Sequence, residues 1–204
     1  MKLVVDWDGT VTEVDGLHLV LQEFGDEWIY DAAEGKLGGE LTLHEVIALE
    51  FESVRAPLEE VVAWMRANVA IRAGFDELAR AHDPLIVSSG FHELIEPILA
   101  RERLRLDVVA NRLDARPDGW RVLFRGADVC DVCGECCKRS DVVGHDDRGF
   151  VLVGDGFSDR CVALAASRVF ARDGLAEYLT ARDVPYERFE DFYDVARALE
   201  GGNR

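Results

Sequence analysis

Asp6-Trp7-Asp8-Gly9-Thr10 follows the apolar run Lys2-Leu3-Val4-Val5. Such a run reads as a short buried strand. Its two carboxylates stand two residues apart, and a period of two sends both the same way from the strand's carboxyl end. Ligands of open α/β sheets bind at that end. Two adjacent carboxylates repel, so the pair calls for a cation or a shared proton. Mg2+ is the usual partner of oxygen ligands of this kind. Two further apolar runs end in polar, glycine-containing turns. Pro84-Leu85-Ile86-Val87 runs into Ser88-Ser89-Gly90, and Phe150-Val151-Leu152-Val153 into Gly154-Asp155-Gly156-Phe157-Ser158-Asp159.

If the three runs are parallel strands, their ends share one edge. That edge would hold a carboxylate nucleophile, a second carboxylate for proton transfer, hydroxyls and backbone N–H groups for phosphate oxygens, and a third carboxylate for a metal. Lys138 opens a helix just before the last strand and brings a positive charge. Phosphoryl transfer uses this set of parts.

The elements that must position these residues alternate between strand and helix, except in one stretch. From about Gly16 to Asn68 the pattern is helical throughout. Leu17, Val20, Leu21 and Phe24 share one face, and Trp28 to Leu37 is mixed. Thr42 with Glu45 forms a capping box, and Pro57 suits the first turn of a further helix. The α/β alternation resumes at Gly74, and Arg112 to Phe124 reads as a hairpin turning at Pro117-Asp118-Gly119. The fold class is therefore α/β. Residues 1–14 and 71–204 form the core, and residues 15–70 form an inserted all-helical cap.

The chain has 204 residues and a net charge of -17, which argues against nucleic acid or an anionic membrane as partner. No apolar run is long enough to span a membrane and no leader precedes the first strand, so a cytoplasmic location is expected. Oligomeric state is not legible. Four of the five cysteines crowd into Cys130-x-x-Cys133-x-x-Cys136-Cys137, with Asp128 and Asp131 nearby. The spacing suits structural Zn2+, a disulfide or redox pair, or free thiols, and all three stay open. Cys161 reads as a small buried hydrophobe. The histidines form no ligand pattern, with His92 noted beside the Ser88-Ser89-Gly90 turn.

In combination, DWDGT, the strand ending Ser-Ser-Gly-Phe, Lys138 and GDGFSD resemble the motifs of haloacid dehalogenase phosphatases. The resemblance covers nearly the whole chain and implies a Rossmann-like parallel sheet with a mobile C1 cap of the phosphoserine phosphatase type. It also implies Mg2+-dependent hydrolysis of a small-molecule phosphomonoester. Asp6 becomes the nucleophile that carries an aspartyl-phosphate, and Asp8 the acid and base whose backbone carbonyl also reaches the metal. Thr10, Ser88, Ser89, Gly90 and Lys138 bind phosphate; Asp155 ligates Mg2+ and Asp159 supports it. Asp15 stands where phosphoserine phosphatases place a glutamate for the substrate amine. Their cap arginine for the substrate carboxylate has no equivalent here before Arg55, which speaks against phosphoserine unless Arg55, Arg66 or Arg72 swings in. Asp15, Ile71-Arg72-Ala73-Gly74-Phe75 and Ala110-Asn111-Arg112 are similar to the methionine-salvage enolphosphate branch, and Asp15 and Arg72 are assigned to substrate choice. An amine-bearing phosphate suits the acidic, aromatic cap residues Trp28, Tyr30, Glu50, Phe51, Glu52 and Trp64. Phosphoryl transfer to an alcohol and phosphoserine hydrolysis remain alternatives.

Overall fold

The computed structural model describes residues 1–126, 129–143 and 149–201. Asp128, His145 and the final Gly202-Asn203-Arg204 lie outside the described residues. Strand β1 (Lys2–Val5) is followed by a tight turn and four helices: α1 (Gly16–Phe24), α2 (Glu27–Glu34), α3 (Leu43–Phe51) and α4 (Leu58–Asn68). Then come α5 (Phe75–His82), β2 (Leu85–Phe91), α6 (His92–Arg101), β3 (Val108–Asp114) and β4 (Arg121–Leu123). The remainder is α7 (Lys138–Val142), β5 (Phe150–Gly154), α8 (Arg160–Ala163), β6 (Arg168–Ala171), α9 (Asp173–Thr180), β7 (Glu187–Arg188) and α10 (Phe192–Gly201).

Among the described residues the strands form one seven-stranded sheet in the order β4-β3-β2-β1-β5-β6-β7. Every pairing is parallel except the β3–β4 hairpin. Val5 pairs with Ile86 on one side and Val153 on the other, so β1 and β5 end nearly level and β2 runs on past them to Phe91. The chain leaves β1 towards β2 and β3, and later leaves β5 the opposite way towards β6. This reversal opens the crevice in which α/β sheets bind ligands.

Side-chain oxygens cap the first three of these helices where the backbone N–H groups lack partners. Asp15 accepts from Leu17 and His18, Asp26 from Trp28 and Ile29, and Thr42 with Glu45 closes the expected capping box. Asp26 is the signal that makes α2 a helix where the sequence reads as mixed. The helical stretch packs on one sheet face through Val20, Leu21, Ile47, Phe51, Val61 and Met65. Phe51 meets Phe91 edge-on at 4.7 Å and lies parallel to Trp120. Trp120 in turn donates its backbone N–H to Val54 O and its indole N–H to Ala56 O. The β3–β4 hairpin is thus clamped to the loop after α3. The opposite face is covered by α8 and α9 through Val162, Leu175 and Leu179.

Two expected boundaries move. β2 continues through Ser88-Ser89-Gly90 to Phe91. The helix expected to run from the turn after β5 to Ala166 ends instead at Ala163, as α8, and a 3-10 turn, Phe157–Asp159, precedes it. Among the described residues no helix is long and apolar enough to cross a membrane.

Candidate active site

The turn after β1 sets the site. Asp6 and Asp8 are both extended, and Gly9 then takes φ +77°, which bends the chain across the end of β5. A Cβ on Gly9 would lie 2.4 Å from Asp155 Oδ2, so only glycine allows this approach. Asp8 therefore leaves the strand before it turns; its direction comes from the turn rather than from strand pleating. Its carboxylate lies over Gly16 and Gly90, where added Cβ atoms would come within 2.8 Å of its oxygens.

Lys138 is the centre of the charge arrangement. Its side chain is 2% exposed, and its Nζ donates to Asp6 Oδ1 at 2.5 Å and to Asp159 Oδ1 at 2.8 Å. Burial works against its charge, but Asp159 and Asp6 outweigh burial and hold the ammonium well above its ordinary pKa. Asp159 is fully buried. Its other oxygen accepts the backbone N–H groups of Asp155 and Gly156, at 3.1 and 3.3 Å. It therefore fixes both the lysine and the turn that carries Asp155.

Three carboxylate oxygens, from Asp6, Asp155 and Asp159, lie within 4.8 Å of one another. Burial and then Asp159 push Asp6 well up and Asp155 up to about 6. Mutual repulsion of this kind marks a set of hard oxygen donors that suits Mg2+. Asp8 is pushed up to about 8, by burial first and by Asp15 next. It holds its proton at neutral pH.

A cavity of about 260 Å3 opens above these groups. It is lined by Asp6, Asp8, Ser88, Ser89, Gly90 and Asp155 from the sheet edge, and by Asp15, His18, Tyr30, Glu34 and Glu50 from the helices. Ser88 Oγ accepts from Gly90 N at 2.8 Å and donates to Asp8 Oδ2 at 3.3 Å. Fully buried Asn111 donates to Ser89 O at 2.7 Å and positions that loop. Asp15 caps α1 and lines the cavity as well.

Three assignments change. Thr10 is fully buried and donates to Asp155 Oδ1 at 2.6 Å, so its hydroxyl orients a carboxylate instead of facing phosphate. Arg72 is buried and spends its guanidinium on backbone carbonyls: Nε on Thr10 O, Nη2 on Gly9 O, Thr12 O and Glu13 O, and Nη1 on Glu190 O. It clamps the turn and does not line the cavity. Cys136 stands apart from a group formed by Cys130, Cys133, Cys137 and Cys161. His92 pairs with Glu96 at 2.8 Å on α6 and does not line the cavity.

Sequence reasoning missed His18 and Glu34 as cavity residues. Their signal was spacing: Glu34 lies one helical turn beyond Tyr30, whose ring stands edge-on to His18 at 4.5 Å. Glu50 is 4% exposed, and one of its carboxylate oxygens has no partner. Burial, then Glu34 and Asp15, push it up to about 8.

No family model matches the chain. It is 27% identical to the 2-hydroxy-3-keto-5-methylthiopentenyl-1-phosphate phosphatase of an Exiguobacterium species, over 98% of both chains. Its fold superposes on the phosphoserine phosphatase of T. onnurineus with a TM-score of 0.68, at 18% identity, covering 95% of this chain and 92% of that one. A phosphoserine phosphatase solved as a phospho-aspartyl intermediate analogue gives 0.66 at 20% identity, covering 97% and 98%. These comparisons support a phosphomonoesterase. In its full-length relatives and in its fold, the chain bears out the resemblance to haloacid dehalogenase-type phosphatases.

Proposed function

We propose that the protein hydrolyses a small phosphomonoester at the carboxyl edge of its sheet, with Asp6 as nucleophile and Mg2+ as cofactor. The observation that carries this reading is the buried Lys138 ammonium held between Asp6 and Asp159, with the Asp155 carboxylate beside it. A carboxylate attacks a phosphate dianion only where positive charge offsets their repulsion. Lys138 supplies part of it. Asp6, Asp155 and the Asp8 backbone carbonyl would hold Mg2+, with Asp159 as support; when bound, the ion neutralises phosphate oxygens.

Asp6 attacks phosphorus as the P–O bond to the alcohol breaks, leaving an aspartyl-phosphate on Asp6. Asp8 gives its proton to the departing oxygen, and its pKa of about 8 keeps that proton available at neutral pH. The Asp8 carboxylate then takes a proton from the water that attacks phosphorus, which releases inorganic phosphate and restores Asp6. Ser88 and Ser89 sit at the cavity wall as phosphate contacts, and the Gly90 N–H, held by Ser88 Oγ, fixes the turn that presents them. The helices of residues 15–70 act as the cap that covers the site and excludes water.

The substrate we assign is an enolphosphate of the methionine-salvage type, and the names of the full-length relatives support it. One observation favours a second reading, an amine-bearing phosphate such as phosphoethanolamine. Asp15, Glu34 and Glu50 face the cavity, and among the described residues no lysine or arginine lines it. Such a wall attracts an ammonium and repels a carboxylate, which counts against phosphoserine. The test is a substrate panel with Mg2+ containing the enolphosphate, phosphoethanolamine, phosphoserine and sugar phosphates. We expect phosphate release that stops when Mg2+ is chelated, with kcat/KM for one of the first two at least about tenfold above phosphoserine. Release that is indifferent to Mg2+, or no release from any member, would overturn the reading.

A further inference from the structure

The cysteine loop is not used by the proposed chemistry, and the fold adds to it a residue that the motif spacing leaves out. Cys161 lies in α8, directly behind the Asp155–Asp159 turn. Its Sγ is 3.7 Å from that of Cys130, which lies 31 residues earlier. The sulfurs of Cys130, Cys133, Cys137 and Cys161 all lie within 4.8 Å of one another. Disulfide sulfurs stand about 2.05 Å apart. Four thiolates at ~2.3 Å from one zinc ion form a tetrahedron whose edges are about 3.8 Å. The Cys130–Cys161 separation matches the tetrahedron edge.

The backbone of the loop agrees. In Cys130-Asp131-Val132-Cys133-Gly134, Gly134 takes φ +75° and its N–H returns to Cys130 O at 2.8 Å. This tight turn aims the N–H groups of Cys133 and Val132 at the Cys130 sulfur. Backbone donors of this kind stabilise a metal-bound thiolate. Cys130 and Cys161 are buried, and Cys137 is half-buried.

We propose that Cys130, Cys133, Cys137 and Cys161 form a tetrahedral zinc site. Four protein thiolates leave no open position, so the site is structural and separate from the Mg2+ chemistry. Soft sulfur donors select zinc, while the hard oxygen set at the sheet edge selects Mg2+. Cys137 immediately precedes Lys138, and Cys161 follows Asp159 by two residues. The ion would therefore staple the two segments that meet in the Lys138–Asp159 ion pair.

The test measures zinc in protein purified under reducing conditions without chelator, and records the absorption spectrum after reconstitution with Co2+. The wild type is expected to carry one zinc per chain and to give the intense visible bands of tetrahedral cobalt thiolate. Cys136→Ser retains both signals, whereas Cys161→Ser loses at least about tenfold in zinc affinity. A wild type that takes up neither metal while its thiols are reduced would overturn the proposal, whatever the variants do. So would a Cys130–Cys161 disulfide that persists in the reducing preparation, or a Cys136→Ser protein that loses metal while Cys161→Ser keeps it.

Discussion

Among the described residues, buried carboxylates occur in two places, and their surroundings differ. At the sheet edge, Asp6 and Asp159 share a buried lysine. On the helical side of the same cavity, Glu50 is as deeply buried, yet its neighbours Glu34 and Asp15 are acids and one of its oxygens has no partner. The first group has an internal counter-ion, Lys138, which works against burial and the repulsion between the acids. The second lowers its charge by taking up protons, or waits for a cation from outside. In our reading the sheet edge is therefore built for chemistry and the helical wall for selection.

Asp6→Asn gives the sharpest break, because it removes the proposed nucleophile and keeps the shape. Turnover of the best panel substrate is expected to fall by at least about 10³-fold in steady-state assays. If it does not, the sheet edge is no more catalytic than the wall. Lys138→Met tests the compensation itself. It strands two buried carboxylates, so denaturant unfolding at neutral pH should show a loss of about 3–5 kcal/mol. The loss shrinks as pH falls and Asp6, whose pKa burial raises, takes up its proton.

Glu50→Gln is the smallest change and has the opposite sign. The folded-state pKa of Glu50 lies above its unfolded value, at about 8 against 4.5, so the wild type loses stability as pH rises between them. The variant escapes that loss and should be more stable at pH 9 by about 1–3 kcal/mol, with no advantage below pH 4. For an amine-bearing substrate it should also raise KM several-fold and leave KM for the enolphosphate unchanged. If Glu50→Gln destabilises the fold as Lys138→Met does, the two regions do not differ in the way described.

The sheet edge was legible because each strand is an apolar run ending abruptly in polar, glycine-containing turns. That Lys138 joins this edge was implied by the family resemblance. What the sequence hid was the aim of side chains at the turn. Thr10 and Asp155 are 145 positions apart, and only the Gly9 bend brings the hydroxyl onto the carboxylate. Arg72 read as a substrate contact because a sequence displays charge and not unpaired carbonyls. The turn after β1 leaves several carbonyls without partners, and a buried guanidinium is the group that satisfies them. Cys161 escaped because local spacing cannot reach a helix beyond the next strand. His18 and Glu34 escaped because each is ordinary on its own helix.

The Arg72 clamp also bears on how force travels through the molecule. The chain leaves the core near Thr12 and returns at Ile71, and these two residues pair as an antiparallel bridge. Glu13 N donates to Ala70 O at 3.0 Å and Arg72 N to Val11 O at 2.8 Å, so the outgoing and returning crossings are laced together. Residues 15–70 are thereby joined to the sheet by a two-ply strap instead of two independent threads. Twisting that strap loads the carbonyls gripped by Arg72 before it reaches Asp6. Asp6 is tied to the sheet separately, its N–H donating to Val153 O of β5 at 3.0 Å, so its register does not depend on the strap.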